Sequence, residues 1–166
     1  MKYFIGSENK VYAYELDGSQ DAFINPEFSP ISRANADLIN NPPRTLQQLK
    51  ATKTAEIKTA CGLAIASGIT SHVLGSAHSY PTTQLDQINF TGLITSSLLP
   101  DSGDEYKFWC ADANGIWDRR IHTKLQIQIV GKAVANHVIL QQDKYKQKLT
   151  EIDAATDSIS LALVIW

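Results

Sequence analysis

The rhythm of hydrophobic and polar positions changes along the chain, and each change marks a different kind of element. Near the start, Tyr3-Phe4-Ile5 and Val11-Tyr12-Ala13-Tyr14 flank the polar stretch Gly6-Ser7-Glu8-Asn9-Lys10. Aromatic and β-favouring runs around a polar, glycine-containing turn predict a β-hairpin. Asp17-Gly18-Ser19 predicts the next turn, and a loop with Pro26 and Pro30 leads to a short polar helix near 32–38. Asn40-Asn41-Pro42-Pro43 then predicts a boundary, because two successive prolines cannot continue a helix and they stiffen a join. We therefore expect an N-terminal β-rich head with its Pro-Pro linker at 1–43, and a body at 44–166.

In the body the period lengthens. Thr45 with Gln48 has capping-box spacing, and Leu46, Leu49, Ile57, Cys61 and Ile65 recur near a helical repeat up to Gly68, a suitable stop. Residues 69–80 read as extended. Pro81-Thr82-Thr83 opens a second helix, with Leu85, Ile88, Leu93 and Leu98 expected on its inner face, ended by Pro100-Asp101-Ser102-Gly103-Asp104. Tyr106-Lys107-Phe108-Trp109-Cys110-Ala111 and Ile116-Trp117-Asp118 flank Asp112-Ala113-Asn114-Gly115, so the Asn-Gly pair predicts a hairpin. Alternation places Trp109 and Trp117 on one face of it and points Cys110 the other way.

Thr123 with Gln126 makes a second capping box, and Ile127, Val130, Val134, Val138, Tyr145, Leu149 and Ile152 carry a long helical pattern over about 124–154. Such a helix is about 45 Å long, longer than the roughly 30–35 Å span of a compact domain this size. Its second half is polar with a thin apolar seam, which suits either helix–helix pairing or a solvated end. The chain closes on Ile159-Ser160-Leu161-Ala162-Leu163-Val164-Ile165-Trp166. An apolar end of this kind either docks back on the body or serves as a binding surface. The expected fold class is α+β: a small N-terminal β-hairpin head, then three helices and short β-hairpin segments, with a long helix near the C-terminus.

Composition narrows the function classes. The formal charge of −2 and the sequence pI near 6.0 leave no basic footprint for nucleic acid or anionic lipid. No signal-peptide core follows Met1, and no apolar run approaches a membrane span, so the expected location is the cytoplasm where the protein is made. Cys61 and Cys110 lie far apart and suggest free buried thiols. Cys110, Asp112, His122, His72 and His78 lack metal-ligand spacing such as Cys-x-x-Cys. A nucleophilic Cys110 would need a base and an oxyanion hole, whereas its place is mid-strand. Phosphate loops, Ser-His-Asp sets and paired carboxylates at useful spacing are absent from the sequence. The reading is of a protein that is not an enzyme and uses no cofactor or metal.

Several stretches carry a resemblance: Tyr80-Pro81-Thr82 with Asp86-Gln87-Ile88-Asn89-Phe90; Phe108-Trp109-Cys110-Ala111-Asp112-Ala113-Asn114-Gly115-Ile116-Trp117; His122-Thr123 with Gln126-Ile127 and Val130-Gly131-Lys132; and Ile165-Trp166. In this order they resemble a domain of undetermined function (DUF4376-like) common in phage tail and tail-fibre assembly proteins. Tyr12-Ala13-Tyr14 and Asp17-Gly18-Ser19-Gln20 resemble the start of such proteins, and Lys124-Leu125 departs from the family's small alanines. The resemblance implies a tail-fibre assembly chaperone that binds the distal part of the fibre in the host cytoplasm. A structural virion component, a fibre tip or baseplate subunit with a receptor-binding role on host polysaccharide, is the alternative. Candidate partner-binding residues are Tyr106, Trp109 and Trp117 of the hairpin, Tyr145 and Leu149 of the long helix, and Ile165 and Trp166 of the tail. Expected partners are the fibre or other tail or baseplate proteins, with self-association through the long helix and no nucleic acid or membrane.

Overall fold

The computed structural model describes residues 1–166, which divide into two compact units, Met1–Thr45 and Leu46–Trp166. The architecture is α+β, with two small antiparallel sheets and a long helix near the C-terminus.

In the first unit, β1 (Lys2–Ile5) pairs with β2 (Val11–Tyr14) as the predicted hairpin. On its other side β1 pairs with β3 (Ser29–Ile31), where Phe4 stands opposite Pro30. The loop expected around Pro30 is thus partly a strand. Proline lacks the N–H a central strand must donate, and β3 is an edge strand where that loss is tolerated. Tyr12 stacks on Phe28 with ring centroids 4.4 Å apart. The helix α1 (Arg33–Asn40) starts at Ser32, whose hydroxyl accepts from the Asn35 N–H.

The second unit begins with α2 (Leu46–Ala66), followed by the antiparallel pair β4 (Ile69–Ser71) and β5 (His78–Tyr80). Gly68 turns the chain between α2 and β4 at φ +89°, and a Cβ there would lie 2.8 Å from the Tyr80 carbonyl oxygen, so only glycine fits. Buried Thr82 fastens this corner: its hydroxyl donates to the Ile65 carbonyl and accepts from the Gly68 N–H. The helix α3 (Gln84–Leu98) opens with a capping box between Thr83 and Asp86, and the Gln87 amide donates to the Thr82 carbonyl. Its inner face differs from expectation. Phe90 and Ser97 are buried and Leu93 is partly so, whereas Leu85, Ile88 and Leu98 are exposed. Ser97 can lie inside because its hydroxyl donates to Ile94 O and accepts from the Gln128 amide.

The hairpin of β6 (Tyr106–Ala111) and β7 (Trp117–His122) completes a four-stranded sheet in the order β4-β5-β6-β7. The long helix α4 (Lys124–Ala154) starts at the predicted Thr123–Gln126 capping box, and α5 (Ser158–Ala162) follows a similar box at Asp157. The first half of α4 covers the sheet. Its Ile127, Val130 and Val134 join Tyr80, Phe90, Tyr106, Phe108 and Cys110 in one core, with the Phe90 and Phe108 rings stacked at 3.8 Å. The second half lies antiparallel to α2, as three links at descending positions show. The Lys50 ammonium donates to Asp153 O, the Cys61 thiol reaches Gln141 O, and His137 Nε2 donates to Ala64 O. A second core forms there from Ile57, Ile152, Ala155, Leu161 and Val164, flanked by Leu46, Leu49, Tyr145, Leu149 and Trp166. No helix is long and apolar enough to cross a membrane.

Candidate binding face

The β6–β7 hairpin separates two chemistries by strand alternation. Its register pairs Lys107 with Ile121, Trp109 with Arg119 and Ala111 with Trp117, so these six residues share one face. Tyr106, Phe108, Cys110 and His122 leave by the other face and are buried. Trp109 and Trp117 are diagonal neighbours on the outer face and are 52% and 51% exposed. The loop joining the strands is held by Asp112, whose Oδ1 accepts from the Asn114 and Ile116 N–H groups while Oδ2 takes Arg120 Nη2 at 3.1 Å. Those backbone donors first, and the Arg120 guanidinium among the lesser causes, hold the Asp112 carboxyl below its usual range. The tryptophans therefore stand on a braced hairpin.

Beside the outer face runs a trough of about 550 Å³, walled by Ile88, Asn89, Gly92 and Leu93 of α3 and by Lys107, Phe108, Trp109 and Arg119 of the hairpin. A second, apolar groove of about 340 Å³ lies between α3 and α4, where Ile94 meets Gly131.

Beneath the hairpin, the groups that could suggest thiol chemistry are structural in their geometry. Cys110 is 0% exposed, and burial pushes its thiol pKa up, away from the thiolate that a nucleophile requires. His122 Nδ1 lies 3.0 Å from Arg120 O, which can only accept, so the proton sits on Nδ1. Nε2 then accepts from the Tyr80 hydroxyl at 2.9 Å. Burial lowers the His122 pKa and raises that of Tyr80. Both imidazole nitrogens are engaged, and neither faces Cys110 as a base. No group of three or more His, Cys, Asp or Glu side chains is placed to hold a metal ion.

The candidate partner-binding residues fall into three groups. Trp109 and Trp117 share the exposed face. Tyr106, expected beside them, is 6% exposed and belongs to the core, because an even position on β6 points inward. Tyr145, Leu149 and Trp166 pack against the second core and stay partly exposed, and the Lys144 ammonium lies 4.6 Å from the Trp166 ring centroid. Ile165 is exposed. Lys107, Arg119 and Ile121 were not singled out from the sequence, whereas Ile88 was expected on the inner face of α3 and is exposed, and Asn89 was grouped with Asp86 and Gln87 as a polar cluster. The first three share the phase of Trp109 and Trp117, a signal that becomes readable once the loop is known to span 112–116.

These features define an α+β domain presenting a rigid aromatic face. Residues 48–163 match the model of a family described as a domain of unknown function (DUF4376), and the chain belongs to that family. No curated protein and no solved structure matches the chain.

Proposed function

We propose that this is a phage tail protein that acts by adhesion, holding a newly made tail fibre soluble in the host cytoplasm until it assembles. The observation that carries the reading is the pair Trp109 and Trp117, half exposed on one face of a hairpin whose other face is core. Aromatic anchors on a pre-ordered scaffold dominate protein recognition, since little conformational entropy is lost when they bind. Capturing apolar surface on unassembled chains suppresses the aggregation to which such surfaces are prone. The likeness of the 108–117 stretch to phage tail proteins supports the phage setting. The buried thiol and the doubly engaged His122 support a role in which no bond is made or broken.

Co-expression with the fibre chain tests this. The fibre is expected to be soluble and trimeric with this protein and to aggregate without it; equal solubility in both cases removes the reading. A second reading places the protein in the particle as a fibre tip or baseplate subunit, with the two tryptophans stacked on host polysaccharide. The shared exposed face of the pair favours it equally. Mass spectrometry of purified virions, with a glycan panel probed by wild type and Trp117→Ala, separates the two.

A further inference from the structure

The trough beside the outer face has a composition that its neighbours do not share. Two of its walls are cationic, Lys107 and Arg119, and it has no carboxylate. Neither cation has an ion pair, in a chain whose net charge is negative. The carboxylate next in sequence, Asp118, leaves by the opposite face of β7 and accepts from the Arg119 N–H at 2.7 Å. An unneutralised pair of positive charges beside apolar walls selects a ligand carrying negative charge next to apolar groups.

The backbone narrows the choice further. Lys107, Phe108 and Trp109 all line the trough, although alternate side chains of a strand leave by opposite faces. Three consecutive residues can do this where the strand's own backbone forms part of the wall. On its β5 side β6 is paired at one register position, Ser79 opposite Ala111, so no strand pairs with Lys107–Trp109 on that side. An open strand edge is a template for another extended chain, whose main-chain groups pair with it. A glycan would need several neutral polar groups for its hydroxyls, and Asn89 is the one side-chain amide in the lining. A nucleic acid strand would need a longer cationic track than two residues.

We propose that the trough between α3 and β6 docks an extended acidic segment of the partner protein. The segment adds beside Lys107–Trp109, sets apolar side chains against Ile88, Leu93 and Trp109, and brings carboxylates to Lys107 and Arg119. The proposal rests on the adhesion reading above and specifies the chemistry of the partner.

The test is an NMR titration of the full chain with a synthetic peptide of alternating Glu and Leu, in parallel with its Gln-Leu counterpart and an oligogalacturonate. The Glu-Leu peptide is expected to shift the resonances of Ile88, Lys107, Trp109 and Arg119. Its affinity should weaken roughly tenfold or more in K107E/R119E and fall as salt rises. No binding, shifts confined to another surface, equal binding of the Gln-Leu peptide, or binding of the oligogalacturonate alone overturns the proposal. Salt dependence in the wild type decides the matter even if the double variant fails to fold. Co-expression reports separately on the adhesion reading. Fibre rescue by a protein whose trough ignores the acidic peptide sinks the trough alone; acidic-peptide binding without rescue sinks the assembly role alone.

Discussion

Ile94 of α3 lies against the bare backbone of Gly131 in α4, where an added Cβ would stand 2.1 Å from Ile94 Cδ1 and 2.9 Å from Cγ1. The absence of a side chain at Gly131 lets the two helices close over the first core. Gly131→Ala would gain about 1 kcal/mol of helix propensity, set against an overpacking cost of about 1–3 kcal/mol. We expect a net loss in the wild-type background. In an Ile94→Ala background the obstruction is gone, and Gly131→Ala should raise stability. A denaturant double-mutant cycle reads the change of sign; the same sign in both backgrounds would show that the contact does not limit packing.

Tyr106 gives a prediction of the opposite kind. Its hydroxyl is buried without a hydrogen-bond partner. An unpaired buried polar group costs about 1–3 kcal/mol, so Tyr106→Phe should leave the protein at least as stable as wild type. Thermal melts check this. A loss above about 1 kcal/mol would reveal a bond to the hydroxyl that the geometry lacks.

The neutral His122 fixes a pH dependence. Burial lowers its pKa from the ordinary 6.5, so between the two values the unfolded chain binds the proton and the folded one does not. Stability is therefore full above about pH 6.5 and declines as pH falls below it. Melts from pH 7.5 down to 5 should show falling midpoints, with a flatter profile in His122→Gln. An unchanged slope in that variant would assign the effect to other groups.

On the outer face, Trp109→Ala and Trp117→Ala should each change stability by about 1 kcal/mol or less, since half of each ring is already in water. Fibre solubility on co-expression should fall sharply in both. A variant that folds normally and rescues the fibre fully would remove that tryptophan from the partner surface.

The second core depends on the chain's last segment. Leu161 is buried against Ile57 and Ile152, and Leu161→Ala is expected to cost about 2–5 kcal/mol. Chemical denaturation measures it. A cost below about 1 kcal/mol would mean that the 158–166 segment is loosely held.

Local signals were legible where they were strong. The Thr123–Gln126 box and an unbroken period located α4, and the turn at 112–115 located the β6–β7 hairpin. The inner face of α3 was not legible, because its apolar residues run right around the helix and the core takes Ser97 while leaving Leu85, Ile88 and Leu98 in water. Hydropathy cannot register a serine whose hydroxyl is satisfied at both lone pair and proton. The fate of the thin seam on α4 was equally hidden, since its partner α2 lies some eighty residues away at Cys61 and Gln141. The same holds for the candidate site: Trp109 and Trp117 could be placed together from alternation, while the trough needed α3 beside the open edge of β6, a tertiary fact.

The helix α4 is the one element that contributes to both cores, through Ile127, Val130 and Val134 at one end and Tyr145, Leu149 and Ile152 at the other. Were one core to melt alone, the half of α4 stripped of it would fall near the length, roughly 12–15 residues, at which a lone helix is marginal in water. Loss of either core would leave half of α4 without its cover, so residues 46–166 are expected to open as a single cooperative unit, with no half-folded species that exposes the apolar interior.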